Sequence, residues 1–387
     1  MQIAGICEPD GEARARLGER AGVPERAQFS VYDDLLERAH PDLVVLGTPM
    51  QLHVPQAIQA LEEGVHVLSE VTAAVDLEQC AALVAAVRRA ATRSGAQYMM
   101  SENACYRKEA VLVRAMARKG LFGTPYFAEG EYLHDVKNLH HAADGGLTWR
   151  STWQVGKRGC TYGSHSLGPA LEFFGPDARV ATVSCVGSGI HTDPEHPHDD
   201  TVLMLCQLQV PGPQTNGGPG SPGGLIKVRV DMMSNRPHTQ AYFSLQGTTG
   251  CYEGSRLPAA AGQSPARSAG QSPARGAGGT PQVWLGENPP APHAHGTREW
   301  QSLWDYEAHL PEMWRNVSEA ALRAGHGGGD YFVVQDFVRA IQRGTPPPID
   351  VYRALDYTVP GLISEQSIAQ GGVPLPVPDF RDLHETG

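Results

Sequence analysis

The sequence lacks cysteine pairs, long apolar runs and an excess of positive charge. Its seven cysteines are scattered over 387 residues, are odd in number, and include no C-x-x-C pair. This spacing excludes a disulfide framework or a cysteine-based zinc site and indicates reduced thiols, as in cytosolic proteins. No run approaches the roughly 20 apolar residues of a membrane span, and no secretory signal is visible. We therefore expect a soluble, cytoplasmic protein.

The shortage of basic residues limits the partners that the chain can have. The formal net charge is −11, whereas a nucleic-acid or anionic-membrane partner favours a basic face. Hydrophobic residues make up 41% of the chain, which is enough for a sizeable core. A length of 387 residues allows two domains of ordinary size.

A glycine-rich turn is also missing where the first residues would require one. An apolar run, Ile3 to Cys7, ends at Glu8 and leads into a helix-like stretch. This pattern is typical of the second strand of a dinucleotide-binding fold, whose acidic tip faces the adenosine ribose. The first strand and its Gly-X-Gly-X-X-Gly turn would lie about 20 residues earlier. We expect either an incomplete start of the gene or a cofactor-poor homologue that binds NAD weakly or not at all.

The remaining pattern predicts two regions of different architecture. Through residue 102, short apolar runs such as "PDLVVLGTP" alternate with helical stretches such as "VPQAIQALEEG", which indicates a parallel, doubly wound sheet. From residue 103 to 387, consecutive longer β-type runs favour a large, mainly antiparallel sheet with helices on one face. Residues 254–281 repeat a Gly/Ser/Pro/Arg unit, and we expect a disordered insertion there. Residues 211–224 predict a second long loop that joins two strands.

An ordered set of motifs resembles one enzyme family. The segment "GTPMQLHVPQAIQALEEGVHVLSEVTAA" is followed by "SENACYR", "GEYLHD", "TWR", "TYGSHSLGP", "SNRPH", "LQGTTG" and "HGGGDYF". The set resembles the Gfo/Idh/MocA oxidoreductases, which combine a Rossmann domain with an α/β substrate domain. Most members carry Glu-Lys-Pro with a catalytic lysine, where this chain has Glu70-Val71-Thr72. That form is similar to glycoside hydrolase family 109, the NAD-dependent α-N-acetylgalactosaminidase branch.

The resemblance implies an N-terminally truncated Rossmann domain over residues 1–102 and a substrate domain over residues 103–387. NAD is the implied cofactor. Several of the implied contacts follow parallel strands, at the edge where such sheets bind ligands. The residues that it implies for cofactor binding are Glu8, Thr48, Pro49, Met50, Gln51, His53, Glu70, Val71 and Asn103.

The segment "TYGSHSLGP" carries the densest signal for chemistry. If it opens a helix, Tyr162 and His165 face the same way. An imidazole titrating near neutrality suits proton exchange with a sugar hydroxyl, and a tyrosine can assist. We predict these two as catalytic. His238 stands roughly where the glycosidases have a substrate tyrosine, which leaves the sugar specificity open. The residues that the resemblance implies for substrate binding are Tyr132, Arg150, Gly163, Ser164, His238 and His326.

A histidine- and acid-rich segment raises the question of a metal site. Residues 191–200, "HTDPEHPHDD", lie between predicted strands and lack helical spacing. We interpret them as a polar hairpin loop and predict no metal.

The family's glycosidase route implies transient oxidation at C3 of the sugar, elimination of the aglycone, water addition and return of the hydride. This route needs no carboxylate pair, and no obvious pair is present. We expect a small-molecule sugar or glycoside as the partner and a homo-oligomer through the open sheet face. The alternatives are an NAD(P)-dependent sugar dehydrogenase, which the valine at position 71 disfavours, and a non-catalytic homologue.

Overall fold

The computed structural model describes residues 2–142, 144–154, 156–210, 223–256, 279–286 and 299–382, without the side chains of Thr152 and Ala320. The chain divides into two units. The first comprises the described residues of Met1–Ser101, Val334–Leu355 and Phe380–Gly387. The second comprises those of Glu102–Val333 and Asp356–Asp379.

The first unit alternates strand and helix, as the apolar rhythm predicts. All of its described strands pair in parallel, in one sheet of two strands and one of three. In chain order its elements are β1 (Ile6–Cys7), α1 (Gly11–Ala21), β2 (Gln28–Phe29), α2 (Tyr32–Ala39), β3 (Leu43–Leu46), α3 (His53–Glu62), β4 (His66–Ser69), α4 (Leu77–Arg93) and β5 (Tyr98–Met100).

The division into two small sheets follows from the usual strand order. A doubly wound sheet of this class runs 3-2-1-4-5-6. The pair β1-β2 then takes the places of strands 2 and 3, and β3-β4-β5 those of strands 4 to 6. No described strand takes the central place between them. The predicted Rossmann-type fold class of this region is confirmed.

The second unit is built on a sheet of nine described strands. Their order is β13-β12-β11-β10-β6-β9-β8-β7-β14, and β6 and β9 alone among these neighbours pair in parallel. The sheet is therefore mainly antiparallel, as predicted. Its strands are β6 (Pro125–Leu133), β7 (Arg179–Gly187), β8 (Val202–Gln209), β9 (Gly224–Asp231), β10 (Thr239–Gly247), β11 (Gly250–Glu253), β12 (Gln282–Leu285), β13 (Gln301–Ser302) and β14 (Leu375–Pro376).

Helices accompany this sheet, and the unit boundary falls within the last two of them. A π-helical turn spans Arg150–Gln154. Short 3-10 turns span Asn103–Tyr106 and Lys137–Leu139. The helices are α5 (Lys108–Arg118), α6 (Ser164–Glu172), α7 (Glu312–Arg315), α8 (Glu319–Leu322), α9 (Gly329–Arg343) and α10 (Val351–Ala369).

Helix α6 is the central helix for the site. All nine of its residues are buried. It lies so close to β6 that a Cβ on Gly130 would stand 2.3 Å from the carbonyl oxygen of Ser166. Only glycine fits there without displacing backbone. The start of α6 is thereby held against the end of β6.

The structure describes only the two ends of the predicted insertion, residues 254–256 and 279–281. Residues 257–278 and 211–222 lie outside the described residues. Arg256, inside the predicted insertion, belongs to the folded sheet because its guanidinium lies 3.6 Å from the ring centroid of Tyr242 and donates to Glu131 at 3.2 Å. Across the described residues, no helix has the length and apolarity needed to cross a membrane.

Candidate active site

The densest cluster of functional side chains lies where β6 ends and α6 begins. Tyr132 stacks on His165 with ring centroids 5.1 Å apart. Tyr162 meets both rings edge-on, with centroids 5.5 Å from Tyr132 and 5.2 Å from His165. Tyr132 and His165 are each only 8% exposed. The two residues predicted as catalytic and the predicted substrate tyrosine are therefore neighbours in space.

A buried glutamate orients the histidine of this cluster. Glu102 is 0% exposed, and its Oε1 lies 2.6 Å from His165 Nδ1. The same oxygen accepts the backbone N–H of Ala104 at 3.1 Å. A carboxylate only accepts hydrogen bonds, so His165 donates from Nδ1, and in this tautomer Nε2 carries the lone pair. This tautomer suits a histidine that takes up a proton at Nε2.

A second histidine extends the cluster beyond Tyr132. The Tyr132 hydroxyl lies 2.8 Å from His134 Nδ1, and the rings of His134 and His238 meet at 4.4 Å. Burial, together with the neighbouring His238 and Arg150, lowers the pKa of His134 to about 4. Burial also raises the pKa of Tyr132 above its ordinary value. At neutral pH the phenol therefore keeps its proton and donates a hydrogen bond to the neutral imidazole of His134.

The predicted substrate arginine lies within electrostatic range of these groups. Arg150 begins the π-helical turn and donates to Gln154 Oε1 at 3.0 Å. Its guanidinium lies over the ring of Trp149, 4.6 Å from the centroid. Its charge helps to lower the pKa of His134 and partly offsets the rise in the pKa of Tyr132. Arg150 thus adds a positive charge beside these rings.

The start of α6 is tightly packed. Gly163 precedes the helix, and a Cβ there would lie 2.9 Å from the Cys160 carbonyl oxygen. Ser164 is 1% exposed, and its hydroxyl has no hydrogen-bond partner among the described residues. Buried hydroxyls without partners are uncommon. A polar group of a bound molecule would satisfy this one.

Two further predicted residues meet elsewhere in the second unit. His326 is exposed, and its Nδ1 lies 2.9 Å from Asp330 Oδ1. The side-chain nitrogen of Asn103 lies 3.3 Å from that same Nδ1. Since Nδ1–H donates to the carboxylate, the asparagine amide cannot also donate to it. Asn103 and His326 are therefore neighbours that keep polar capacity for a ligand.

In the first unit, the predicted cofactor residues gather at the carboxyl ends of β3 and β4. His53 is 1% exposed and links the two turns, since its Nε2 lies 2.8 Å from the Thr48 carbonyl oxygen and its Nδ1 lies 3.1 Å from that of Thr72. The Thr48 hydroxyl donates to Gln56 Oε1 at 2.7 Å. Both ring nitrogens of His53 face backbone oxygens, so the structure gives this residue a positioning role.

The same edge offers groups that fit a dinucleotide. Gln51 Oε1 is buried and has no hydrogen-bond partner among the described residues, and such orphaned acceptors call for a ligand donor. Met50 and Val71 supply buried apolar surface, at 4% and 5% exposure. The other predicted contacts, Pro49, Glu70 and Glu8, are partly exposed, and Glu8 accepts the Asp10 N–H at 2.9 Å. The donor set and the carboxyl-edge location therefore fit NAD.

Sequence reasoning missed two residues of the cluster. Glu102 lies in the quoted "SENACYR" motif and His134 in "GEYLHD", but neither was assigned a role. Neither has a local signal that marks it as functional. Only the meeting of Asn103–Tyr106, β6 and α6 reveals their contacts with His165 and Tyr132.

Comparisons with known proteins agree with this architecture at both ends of the chain. Residues 1–98 match the "Oxidoreductase family, NAD-binding Rossmann fold". Residues 220–384 match "Glycosyl hydrolase 109, C-terminal domain". The match to an NAD-binding Rossmann domain identifies the chain as an oxidoreductase that uses NAD. The chain thus carries a Gfo/Idh/MocA-type NAD-binding domain and a C-terminal domain similar to that of glycosyl hydrolase family 109.

Similar curated proteins cover nearly all of the chain. A glycosyl hydrolase family 109 protein of Saccharopolyspora erythraea is 26% identical over 98% of this chain and 78% of the relative. An α-N-acetylgalactosaminidase of Shewanella oneidensis is 27% identical over 98% of this chain and 80% of the relative. The family prediction, the prediction of an enzyme and the prediction of NAD as cofactor are confirmed.

Solved structures show the same fold. An oxidoreductase domain protein from Kribbella flavida matches with a TM-score of 0.72 and 21% identity, over 97% of this chain and 90% of that chain. A levoglucosan dehydrogenase in complex with NADH and levoglucosan matches with a TM-score of 0.69 and 19% identity, over the same shares. At these identities the likeness concerns the fold alone.

Proposed function

We propose that this protein is an NAD-dependent glycosidase that acts on a small sugar or glycoside. The observation that carries the proposal is the buried contact between Glu102 and His165, with Tyr132 stacked on the imidazole and Tyr162 at its edge. This set is built for proton transfer. Glu102, the carboxylate next to His165, is engaged as its orienting partner, which differs from the two carboxylates that flank the bond in an ordinary glycosidase.

Each residue of the cluster has a role that follows from its contacts. His165, oriented through Nδ1, takes the proton of the sugar hydroxyl at Nε2. Glu102 stabilises the imidazolium that forms, because its charge is fully desolvated. Tyr132 keeps its phenolic proton on the bond to His134 and accepts a hydrogen bond from a sugar hydroxyl, while Tyr162 donates to a sugar oxygen. Arg150 supplies the positive charge that holds an amide or hydroxyl oxygen of the substrate.

The cofactor is held by the first unit's residues. Thr48, Gln51, Glu70 and Val71 at the strand ends are the contacts we assign to the nicotinamide half, and Glu8 is the contact for the adenosine ribose. The resemblance also implies Asn103 as a cofactor contact. When bound, NAD would supply a reversible hydride acceptor for the sugar, so that no net oxidation results. The protein groups bind, orient and exchange protons.

The test follows sugar release and NADH in one reaction. The protein is incubated with NAD⁺ and a nitrophenyl α-N-acetylgalactosaminide, then with a panel of other nitrophenyl glycosides. We expect nitrophenol release without accumulation of NADH. When the reaction is run in D₂O, the released sugar should gain deuterium at C2, because a 3-keto group acidifies that C–H bond. His165→Ala lowers kcat by about 10²–10⁴, while NAD⁺ affinity measured by calorimetry stays unchanged.

The opposite pattern would identify the second candidate function. NADH that accumulates one for one with consumed sugar, without nitrophenol, indicates a sugar dehydrogenase. The fold is shared with a levoglucosan dehydrogenase. The valine at position 71 disfavours that function, because a lysine at this place serves catalysis in most family members.

We also propose a cytoplasmic location and a small-molecule substrate. A cytoplasmic location is supported by seven cysteines that are all free thiols. A net charge of −11 supports a small-molecule substrate over nucleic acid. The homo-oligomer stays a prediction, which light scattering of the purified protein would test.

A further inference from the structure

Three metal-ligating side chains meet at a place that the proposed function does not use. His140 lies in the segment that leads from β6 to Arg150, and Asp193 and His196 lie in the hairpin loop between β7 and β8. One ligand atom from each residue lies within 4.8 Å of the other two. The rings of His140 and His196 are tilted against each other with centroids 4.7 Å apart.

His140 points to a missing ligand. It is 4% exposed, and its Nδ1 is buried without a hydrogen-bond partner among the described residues. Its backbone is well fixed, since the carbonyl oxygen accepts the Thr148 N–H at 3.0 Å and also the Ser151 hydroxyl. The buried imidazole is thus fixed in place and short of a partner for Nδ1, as expected of a metal ligand.

The hairpin loop presents the other two ligands in a tight turn. His196 Nδ1 lies 2.9 Å from Asp193 Oδ2, and the Glu195 N–H donates to Asp193 Oδ1 at 3.2 Å. Of the other three acids of the hairpin, Glu195 is exposed and the remaining two are engaged elsewhere. Asp199 pairs with Arg158 at 2.9 Å, and Asp200 accepts the Thr192 hydroxyl at 3.0 Å. Asp193 is therefore the carboxylate that this loop directs to the histidines.

We propose that His140, Asp193 and His196 form a binding site for a divalent transition-metal ion of the Zn²⁺ class. Two imidazoles and a carboxylate suit Zn²⁺, whereas Mg²⁺ and Ca²⁺ prefer all-oxygen sets. Bonds of about 2.0–2.1 Å in a tetrahedron place ligand atoms roughly 3.4 Å apart. The three groups need to close by little more than about 1 Å to reach that spacing. Three protein ligands leave one position for water.

The metal would tie two loops of the second unit together. His140 and Arg150 belong to one segment, so a bound ion fixes the chain just before the predicted substrate arginine. The sequence of the hairpin loop by itself does not predict a metal site, because the spacing of its acids and histidines does not match a known ligand motif. His140, about 50 residues earlier in the chain, completes the set.

The experiment measures metal binding directly, without relying on enzymatic activity. Tag-free protein is stripped with a chelator, dialysed and titrated with Zn²⁺ by calorimetry and with Co²⁺ by visible absorption. We expect one ion per chain and the intense d–d bands of four-coordinate Co²⁺. His196→Gln and Asp193→Asn should each weaken binding by more than about 100-fold, beyond the roughly 10–100-fold cost of losing an outer contact.

The matched control is another histidine of the same hairpin. His191 is exposed, and its Nε2 donates to the Ser188 carbonyl oxygen at 2.8 Å. His191→Gln should bind Co²⁺ as the parent protein does. His140→Gln tests the buried ligand, and because it could disturb folding, circular dichroism accompanies it. If His140→Gln unfolds, His196→Gln still tests the site, because His196 is only half-buried.

Three results would overturn the proposal. One is parent protein that binds no Zn²⁺ or Co²⁺, which would make the cluster a hydrogen-bonded loop contact only. Another is a Co²⁺ spectrum with thiolate charge-transfer bands, which would place the ion on cysteine. The third is equal loss of affinity in His191→Gln and His196→Gln.

Discussion

Replacing Glu102 with glutamine tests the central contact of the site. The substitution keeps the size of the side chain but removes a charge that is 0% exposed and 2.6 Å from His165 Nδ1. A glutamine amide can donate to Nδ1, which would move the imidazole proton to Nε2 and fill the position that must accept the substrate proton. The imidazolium that forms during the reaction also loses its counter-charge.

The magnitude follows from the charge pair. Two unit charges about 4 Å apart interact by about 4 kcal/mol at an effective dielectric constant of about 20. Since about 1.4 kcal/mol is a factor of ten, the expected loss in kcat is about 10³. This lies within the 10²–10⁴ that a positioned acid–base group contributes. KM should change little, because Glu102 is buried behind His165 and makes no predicted sugar contact.

The assay is nitrophenol release across pH, with a second buried glutamate as control. Glu172, at the other end of α6, is 8% exposed and accepts the Tyr357 hydroxyl at 2.8 Å. Glu172→Gln can lower stability but should leave kcat of the folded protein within about threefold. Glu102→Asp should restore part of the activity. A folded Glu102→Gln protein with parental kcat and an unchanged pH profile would refute the assigned role of this contact.

Three further predictions concern stability. Gly130→Ala should lower the free energy of unfolding, measured in urea, by about 1–3 kcal/mol, because the new Cβ would lie 2.3 Å from the Ser166 carbonyl oxygen. The control, Gly11→Ala, should leave stability unchanged, because its Cβ would have no neighbour closer than 3.7 Å. The folded protein lowers the pKa of His134 from 6.5 to about 4, so the unfolded chain binds one more proton and the free energy of unfolding falls as pH drops from about 6.5 to 4. His134→Asn should reduce this loss by about 1–2 kcal/mol, after discounting for partial exposure. A variant with the same pH dependence of stability as the parent protein would contradict this prediction. Deleting 257–278 should change stability by no more than about 0.5 kcal/mol, and a loss of several kcal/mol in the same urea assay would show that the segment packs against the fold.

Much of the fold was readable because its signals are local. The apolar runs 43–46 and 66–69 appear as β3 and β4, each followed by a helix that the periodicity predicts. Helix α4 begins after Asp76, whose side chain accepts the Gln79 N–H at 2.7 Å, a cap visible in the sequence. Burial of one face per element is enough to specify such segments.

The division of the first unit's strands into two sheets could not be predicted from local sequence patterns. The sequence predicts one parallel sheet in the first hundred residues, whereas the described strands form one pair and one trio. The two sheets would be continuous only with a strand in the central place between them. The residue patterns of β1–β2 and of β3–β5 do not indicate whether such a strand is present. Similarly, Arg256 reads as part of a polar repeat, yet it packs on Tyr242 because the sheet brings that ring beneath it.

The candidate site divides in the same way. The sequence alone determined the residue types and their order: a tyrosine and a histidine three apart at the start of α6, polar turns after β3 and β4, and NAD as the cofactor by family. Only the tertiary structure decided that Glu102 meets His165, that His134 meets Tyr132, and that His140 meets Asp193 and His196. Helical and strand periodicity arise from contacts within a few residues, so they are written locally. Hydrogen bonds between buried side chains from distant segments depend on how closely the packed elements approach, as where Gly130 admits α6 against β6.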